Sequence, residues 1–328
     1  MKKILPLCLL FTLLVVKSLN AKTSKNIIIL NSIGVPIVTT HAEILKNYLV
    51  EISDNIEVFD GKGDSKLLKT YLESRLANRK PDLVVANATL ASKVAKEVLK
   101  DSGVPMIFMT VSDPVGSGLV DELGNESRSF YTGVAYAVSR TTKVQLVSRI
   151  FKNKHLKIGM VASTYPSAVG DISLLKVAAK EMKNIEFVAS TLPYVGKGEK
   201  SFDKLMDESI KKAKTIAGSV DYFWEVYGPL AETEIFSKSL IKLKPVIYGL
   251  NPNSVKSGAL FCMIPDSRLM IKEVFEIIES ILSGHKPGKI PIKSPKKSVL
   301  TVNLKTANSL GLVLPFDVLQ LAGDNVIK

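Results

Sequence analysis

The feature that most constrains this chain is a regular alternation of short, unbroken apolar runs with longer amphipathic stretches. Residues 26–30, 55–59, 83–86 and 105–109 are apolar runs of strand length. Between them lie helical patterns through about Val50, over 67–76 and over 91–99. A strand that reads as continuously apolar is buried on both faces, as in a parallel sheet covered by helices on either side. After a further strand near 133–136 the same grammar restarts. Strands are expected at 158–162, 187–190, 222–226 and 246–248, with helices near 168–182, 202–213 and 231–243. Two such series of about five strands each predict an α/β fold of two doubly wound parallel-sheet lobes joined by a hinge. A strand at 259–264, an amphipathic helix at 269–282, a Pro-containing stretch at 286–295 and a strand at 299–302 follow before a short helical tail. These extra elements imply a chain that crosses between the lobes more than once.

The first residues have a different character. Lys2 and Lys3 precede an almost wholly apolar run over 4–16, which ends at Lys17-Ser18-Leu19-Asn20-Ala21. This is the pattern of a secretory signal peptide, residues 1–21, cleaved after Ala21. The run falls short of the roughly 20 residues a membrane helix needs, and an uncleaved anchor is the alternative. Cys8 lies inside the apolar run, where no lipidated cysteine would sit. The expected location is therefore the periplasm. Once the signal is removed, Cys262 is the only thiol, so no internal disulfide forms; between Phe261 and Met263 it reads as a small buried hydrophobe.

The formal net charge is +13, of which Lys2, Lys3 and Lys17 carry three, leaving +10. The lysines are dispersed along helical stretches (Lys93, Lys96, Lys100; Lys211, Lys212, Lys214), and only 293–297 forms a small cluster. Solvated helix faces account for them, and an exported chain has no genome to bind. His41, His155 and His285 are scattered and hold no metal-ligand spacing. There is no phosphate-cradling glycine loop and no nucleophile elbow. Gly116-Ser117-Gly118 and Gly196-Lys197-Gly198 each lack the third glycine of a dinucleotide fingerprint. The chain is thus expected to be no enzyme and to carry no cofactor or metal.

In open parallel sheets ligands bind beyond the carboxyl ends of the strands. That rule nominates Asn87-Ala88-Thr89-Leu90 and Thr110-Val111-Ser112-Asp113-Pro114 in the first lobe. In the second it nominates Ser163-Thr164-Tyr165-Pro166-Ser167 and Tyr227-Gly228-Pro229. Helix starts near Thr89 and Ser167 suit a carboxylate, Asp113 an ammonium, and Tyr165 or Tyr227 an apolar or aromatic group. Each residue also has a plain structural reading. Thr89 and Ser167 can be N-caps, Asp113 can cap the Pro114 turn, and Tyr227 can end its strand in the core.

Two segments carry more than architecture. Pro105-Met106-Ile107-Phe108-Met109-Thr110-Val111-Ser112-Asp113-Pro114-Val115-Gly116-Ser117-Gly118-Leu119-Val120 resembles the strand-and-loop signature of an ABC-transporter substrate-binding family whose members include tryptophan- and tyrosine-type binders. Val302-Asn303-Leu304-Lys305-Thr306-Ala307-Asn308-Ser309-Leu310-Gly311-Leu312-Val313-Leu314-Pro315 resembles its C-terminal signature. Ser257-Gly258-Ala259-Leu260 and Ser283-Gly284-His285-Lys286-Pro287 fall in the family's order.

The resemblance implies a type I periplasmic-binding-protein-like fold, with three crossovers between lobes that close on a ligand. The first lobe would be 22–133 with 258–292, and the second 134–257 with 293–328. The binding role carries over to Ser112 and Asp113; Ser32, Leu90, Ser163 and Asp266 complete the candidate set with Thr89, Tyr165, Ser167 and Tyr227. Departures stand at 31–34, at Gly228 where many members have aspartate, and at Met270 where glycine is usual. They put an ordinary aromatic amino acid in doubt and leave a different amine, acid or small apolar metabolite open. The implied partners are a small-molecule ligand, an amino acid or a related metabolite, and an ABC permease in the inner membrane, with the protein a monomer. The same closure would serve the alternative output, an extracytoplasmic ligand-sensing module for a receptor kinase.

Overall fold

A computed structural model describes residues 23–195 and 198–328. The expected signal peptide, 1–21, lies outside the described residues. The first sheet is built from β1 (Thr23–Asn31), β2 (Ser53–Asp60), β3 (Leu83–Asn87), β4 (Met106–Val111) and β5 (Tyr131–Ala135). Helices α1 (Pro36–Leu49), α2 (Ser65–Asn78) and α3 (Thr89–Leu99) connect the first four of these strands. The order is β2-β1-β3-β4-β5, all parallel. β3 and β4 are buried along their whole length, as their unbroken apolar sequence requires. Alternate residues face opposite layers. Ile27, Ile29, Val85 and Ile107 pack with Leu45 and Leu49 of α1; Ile28, Leu30, Val84 and Phe108 pack with Leu68 and Leu72 of α2 and Leu99 of α3. Each such side chain contributes about 1.5–3 kcal/mol by leaving water.

The second lobe contains α4 (Arg140–Ile150), β6 (Leu156–Ser163), α5 (Pro166–Lys180), β7 (Ile185–Leu192), α6 (Gly198–Ala217), β8 (Tyr222–Trp224), α7 (Glu234–Leu243), β9 (Val246–Tyr248), α8 (Pro252–Ser257) and β10 (Phe261–Pro265). Helix α9 (Ser267–Leu282) follows, then β11 (Ser298–Asn303), α10 (Leu304–Ser309), α11 (Phe316–Ala322) and β12 (Val326–Ile327). The strand order is β12-β11-β10-β9-β8-β6-β7, parallel except where β11 returns antiparallel to β10.

Helix α4 was not among the expected elements. Ser139 caps it by accepting from Thr142 N, but its buried face mixes Arg140, Lys143 and Ser148 with Val144, Val147 and Ile150, which dilutes the apolar period. The lobe boundaries also shift. β5 carries the first sheet to Ala135 rather than to 133. β10 pairs with β9 and β11, so 258–265 belongs to the second sheet and the return to the first lobe begins at Asp266. An apolar strand such as Phe261-Cys262-Met263 fits either core, and only pairing decides which. Helix α9 then packs with α1 through Ile277 and Ile278 beside Leu45, and Ile292 is buried in the first-lobe core. Lys293 N donates to Gly133 O at 3.0 Å before the chain leaves for β11. The chain thus crosses three times: after Ala135, around Asp266, and between Lys293 and Ser298. At this last crossing Lys293 and Lys296 both pair with the buried carboxylate of Glu273 on α9, at 3.1 and 3.0 Å.

His41 of α1 braces the first lobe near the crossings. Its Nδ1 lies 2.9 Å from Thr110 Oγ1 and its Nε2 2.8 Å from Ser267 Oγ. Burial pushes its pKa down to about 3, so the imidazole is neutral, one nitrogen donating and the other accepting. Cys262 is buried, and burial pushes its thiol up to about 12; it is a packing residue. Among the described residues no helix is long and apolar enough to cross a membrane.

Candidate interlobe ligand site

In each sheet the strand order reverses at one place: between β1 and β3 in the first lobe, and between β6 and β8 in the second. Chain connections diverge there and leave a crevice at the carboxyl ends. The two crevices face one another. The cavity between them is lined from the first lobe by Ile33, Val35, Ala88, Thr89, Thr110 and Ser112. From the second come Tyr165, Ser167, Tyr227, Gly228, Pro229 and Glu232, with Tyr136 entering from the first crossing. Its volume is about 50 Å³, room for a few waters at about 10–15 Å³ each. A wider cavity of about 500 Å³ runs along the mouth, between Asp60 and Lys62 on one side and Tyr194 and Phe202 on the other.

The backbone is held in unusual conformations at this cavity. Ala88 has φ 73° and ψ 170°, a region nearly reserved for glycine, and Thr110 has φ 58°. Such strain costs about 1–3 kcal/mol per residue and persists only where the surroundings enforce it. At Ala88 the enforcement is visible. Its N–H donates to Met109 O, and the Ser32 hydroxyl donates to Asn87 O at 3.0 Å while accepting from Ala91 N at 2.8 Å. Ser32 thereby ties the end of β1 to the start of α3.

The lobes touch across the cleft. Arg140 Nη1 donates to Ser112 O at 3.0 Å, and the Tyr194 hydroxyl donates to Gly63 O at 3.3 Å. Gly170 of α5 lies so close to Asp113 that a Cβ there would come within 2.8 Å of Asp113 Oδ2, and the carboxylate would have to shift. Beneath the second-lobe wall, Asp171 accepts from Arg140 Nε at 2.7 Å and from Tyr227 N at 2.9 Å. Lys143 Nζ donates to the Tyr227 hydroxyl at 3.3 Å. Burial first, and then the Arg140 guanidinium, push the Lys143 pKa down to about 7.

Of the residues nominated from sequence, Thr89, Ser112, Tyr165, Ser167 and Tyr227 converge on the cavity wall. Ser32 stands one layer behind it, and Ser163 likewise, its hydroxyl accepting from Tyr165 N at 3.3 Å. Leu90 packs half-buried against the first-lobe core. Asp113 turns into its own loop, Oδ1 accepting from Gly116 N at 2.8 Å. Asp266 caps α9 by accepting from Arg268 N and Leu269 N, both at 3.1 Å. The N-caps of α3 and α5 are Ala88 and Tyr165, not Thr89 and Ser167, and neither makes a side-chain cap bond. At α3 the Ser32 hydroxyl, accepting from Ala91 N, takes the place of an N-cap side chain, so only the α5 start at the cavity lacks the usual side-chain acceptor. Glu232 and Tyr136 were not anticipated. Glu232 precedes the α7 N-cap Thr233 and reads in sequence as part of a helix start; Tyr136 reads as the end of a strand.

Two lobes linked by three crossings, each offering the carboxyl ends of a parallel sheet to a shared cavity, define a binding protein of the type I periplasmic fold. The model for the family described as ABC transporter substrate binding protein matches residues 35–326, and the chain belongs to that family. It is 26% identical over 278 residues to a tyrosine-binding protein of Clostridioides difficile (strain R20291), covering 83% of this chain and 74% of that protein. Among solved structures, an ABC domain from Streptococcus pneumoniae in complex with L-Trp superposes with a TM-score of 0.77 at 22% identity, over 92% of this chain and all of that one. A conserved domain protein from Vibrio cholerae gives 0.78 at 21% identity, over 93% and 100%. The ligand-free, open form of a substrate-binding protein with adhesive properties from Clostridium difficile gives 0.64 at 21%, over 92% and 98%.

Proposed function

We propose that the protein captures a small metabolite of amino-acid size between its lobes and delivers it to an ABC permease in the inner membrane, acting as a monomeric periplasmic component of an importer. The observation that carries this reading is the shared cavity. It forms at both switch points at once, so a solute within it contacts both lobes, and its interaction energy favours the closed arrangement over the open one. Ser112 Oγ, buried at this wall, has no protein partner among the described residues, and a polar ligand group would satisfy it. The start of α5 at Ser167, which has no side-chain cap bond, suits a carboxylate. The tyrosine- and tryptophan-binding relatives agree with a ligand of that size.

Native mass spectrometry of the mature chain, with identification of anything released on denaturation, tests this reading. One small metabolite per chain is expected. The same compound, added back at about 100 times its Kd, should stabilise the fold by about 2.7 kcal/mol. An empty protein that no member of a broad panel of amino acids, amines and acids stabilises would overturn it.

A further inference from the structure

Among the described residues, Glu232 is the one formally charged side chain on the cavity wall. It stands between Pro229 and the start of α7, on the same wall as Tyr227 and near Tyr136, whose rings meet edge-to-face at 6.4 Å. Its recorded hydrogen bond comes from Asn251 Nδ2, which donates to Oε2 at 3.4 Å. No cation lies within ion-pair distance of it among the described residues. The basic groups beneath this wall are engaged elsewhere: Arg140 by Asp171, and Lys143 by the Tyr227 hydroxyl and by the rings of Tyr227 and Tyr248, each 4.7 Å away. The other carboxylate acting on Glu232 is Glu225 of β8, whose Oε2 already accepts from Leu250 N at 2.8 Å and Ser254 Oγ at 2.7 Å. On the outer side Glu234 and Lys238 of α7 pair with each other at 2.6 Å, and Lys256 of α8 is exposed. Burial, partly offset by Asn251 and reinforced by Glu225, pushes the Glu232 pKa up to about 8.

Glu232 is half-buried; a carboxylate partly drawn out of water without a counter-charge is costly, and a cation brought to it lowers that cost. Among the described residues the cavity wall has no lysine, arginine or histidine; the cation must arrive with the solute. We propose that Glu232 is the anchor for a protonated amine of the ligand, seated against the rings of Tyr136 and Tyr227, so that the protein selects ligands bearing an ammonium group. This rests on the reading of the cleft as the ligand site and names the ligand chemistry that the site demands. The ammonium donates charge-assisted hydrogen bonds to the carboxylate, and the aromatic walls exclude water from them. Because the free carboxyl is largely protonated below pH 8, seating an ammonium there expels its proton.

The test is calorimetric titration of the mature protein and of Glu232→Gln. The probes are the proteinogenic amino acids, the amines left by their decarboxylation, and the acids left by their deamination. Ligands that bind are expected to carry the amine, and Glu232→Gln should weaken them by about tenfold or more, the scale for losing a hydrogen bond to a charged group. Its ligand-free unfolding temperature should not fall. Below pH 8 the wild type should release up to one proton per ligand bound, with affinity rising by up to about tenfold per pH unit; Glu232→Gln should show neither effect. A deaminated acid binding as tightly as its amine, or an amine bound equally by Glu232→Gln, would overturn the anchor and leave capture in the cleft standing. Failure of every amine while an acid binds would overturn the anchor alone, and failure of the whole panel would overturn both.

Discussion

Replacing Asp171 with alanine is expected to destabilise the second lobe by about 3–5 kcal/mol, the cost of removing one partner from a buried ion pair. Asp171 and Arg140 are only 4% and 8% exposed, so water cannot take over the lost contact. The substitution leaves the guanidinium uncompensated and also orphans Tyr227 N, which donates to Asp171 Oδ2 at 2.9 Å. Arg140 Nη2 already lacks a partner among the described residues. The loss reaches the cleft through two contacts: Arg140 holds Ser112 O, and its guanidinium lies 5.1 Å from the centre of the Tyr227 ring. Weaker ligand binding should accompany the fall in stability. Trp224, the single tryptophan of the chain, is buried in this lobe and reports its denaturant unfolding directly. Asp171→Asn, which keeps an acceptor for Tyr227 N, should lose less. A loss below about 1 kcal/mol for Asp171→Ala, no more than an ordinary hydrogen bond, would show that the pair is not the brace described here.

Lys143→Met is expected to do the opposite, stabilising the protein at low pH. Lys143 is 1% exposed, and burial, with help from Arg140, brings its pKa from 10.5 to about 7. A base whose pKa is lowered on folding binds fewer protons in the folded chain than in the unfolded one. Stability therefore rises with pH between about 7 and 10.5 and sits on its lower plateau below 7. At about 1.4 kcal/mol per pH unit, the penalty below pH 7 is on the order of 5 kcal/mol. Methionine fills similar volume without the charge, so Lys143→Met should exceed the wild type by about 2–4 kcal/mol at pH 6, the gap narrowing as pH approaches 10. Trp224 stacks on Tyr248 at 4.3 Å, and the Tyr248 ring lies 4.7 Å from Lys143 Nζ. Unfolding followed by its fluorescence across pH measures this difference. A gap that did not change with pH would contradict a titrating lysine at this position.

The alternation of strands and helices was legible because both faces of each sheet are covered, which writes β3 and β4 as unbroken apolar runs. The assignment of β10 was not, since an apolar strand carries no label for the sheet it will join, and the chain enters the second sheet twice, from distant positions. Helix α4 was hidden by its own function: the groups that hold the Tyr227 wall, Arg140 and Lys143, occupy positions that an ordinary amphipathic helix fills with leucine or valine. At the cleft, the strand-end rule found Thr89, Ser112, Tyr165, Ser167 and Tyr227 because strand termini can be placed from sequence. It could not tell which acidic side chain faces inward. Asp113 lies directly after a strand, yet its Oδ1 closes a turn on Gly116; Asp266 caps α9. Glu232 lies several residues past β8 in a loop whose path depends on Pro229 and on packing against Asn251, and nothing local in sequence reveals that path.

The central claim is that the lobes close on a solute held between the two switch points. Small-angle scattering of the mature protein, with and without the metabolite released from it, tests this most directly. The bonds that cross the cleft directly include Arg140 to Ser112 O and Tyr194 to Gly63 O, and each contributes only about 1 kcal/mol net. The ligand-free protein is accordingly expected to sample more open arrangements and to lose radius of gyration on saturation. Superimposable scattering curves at saturating ligand would contradict capture by closure.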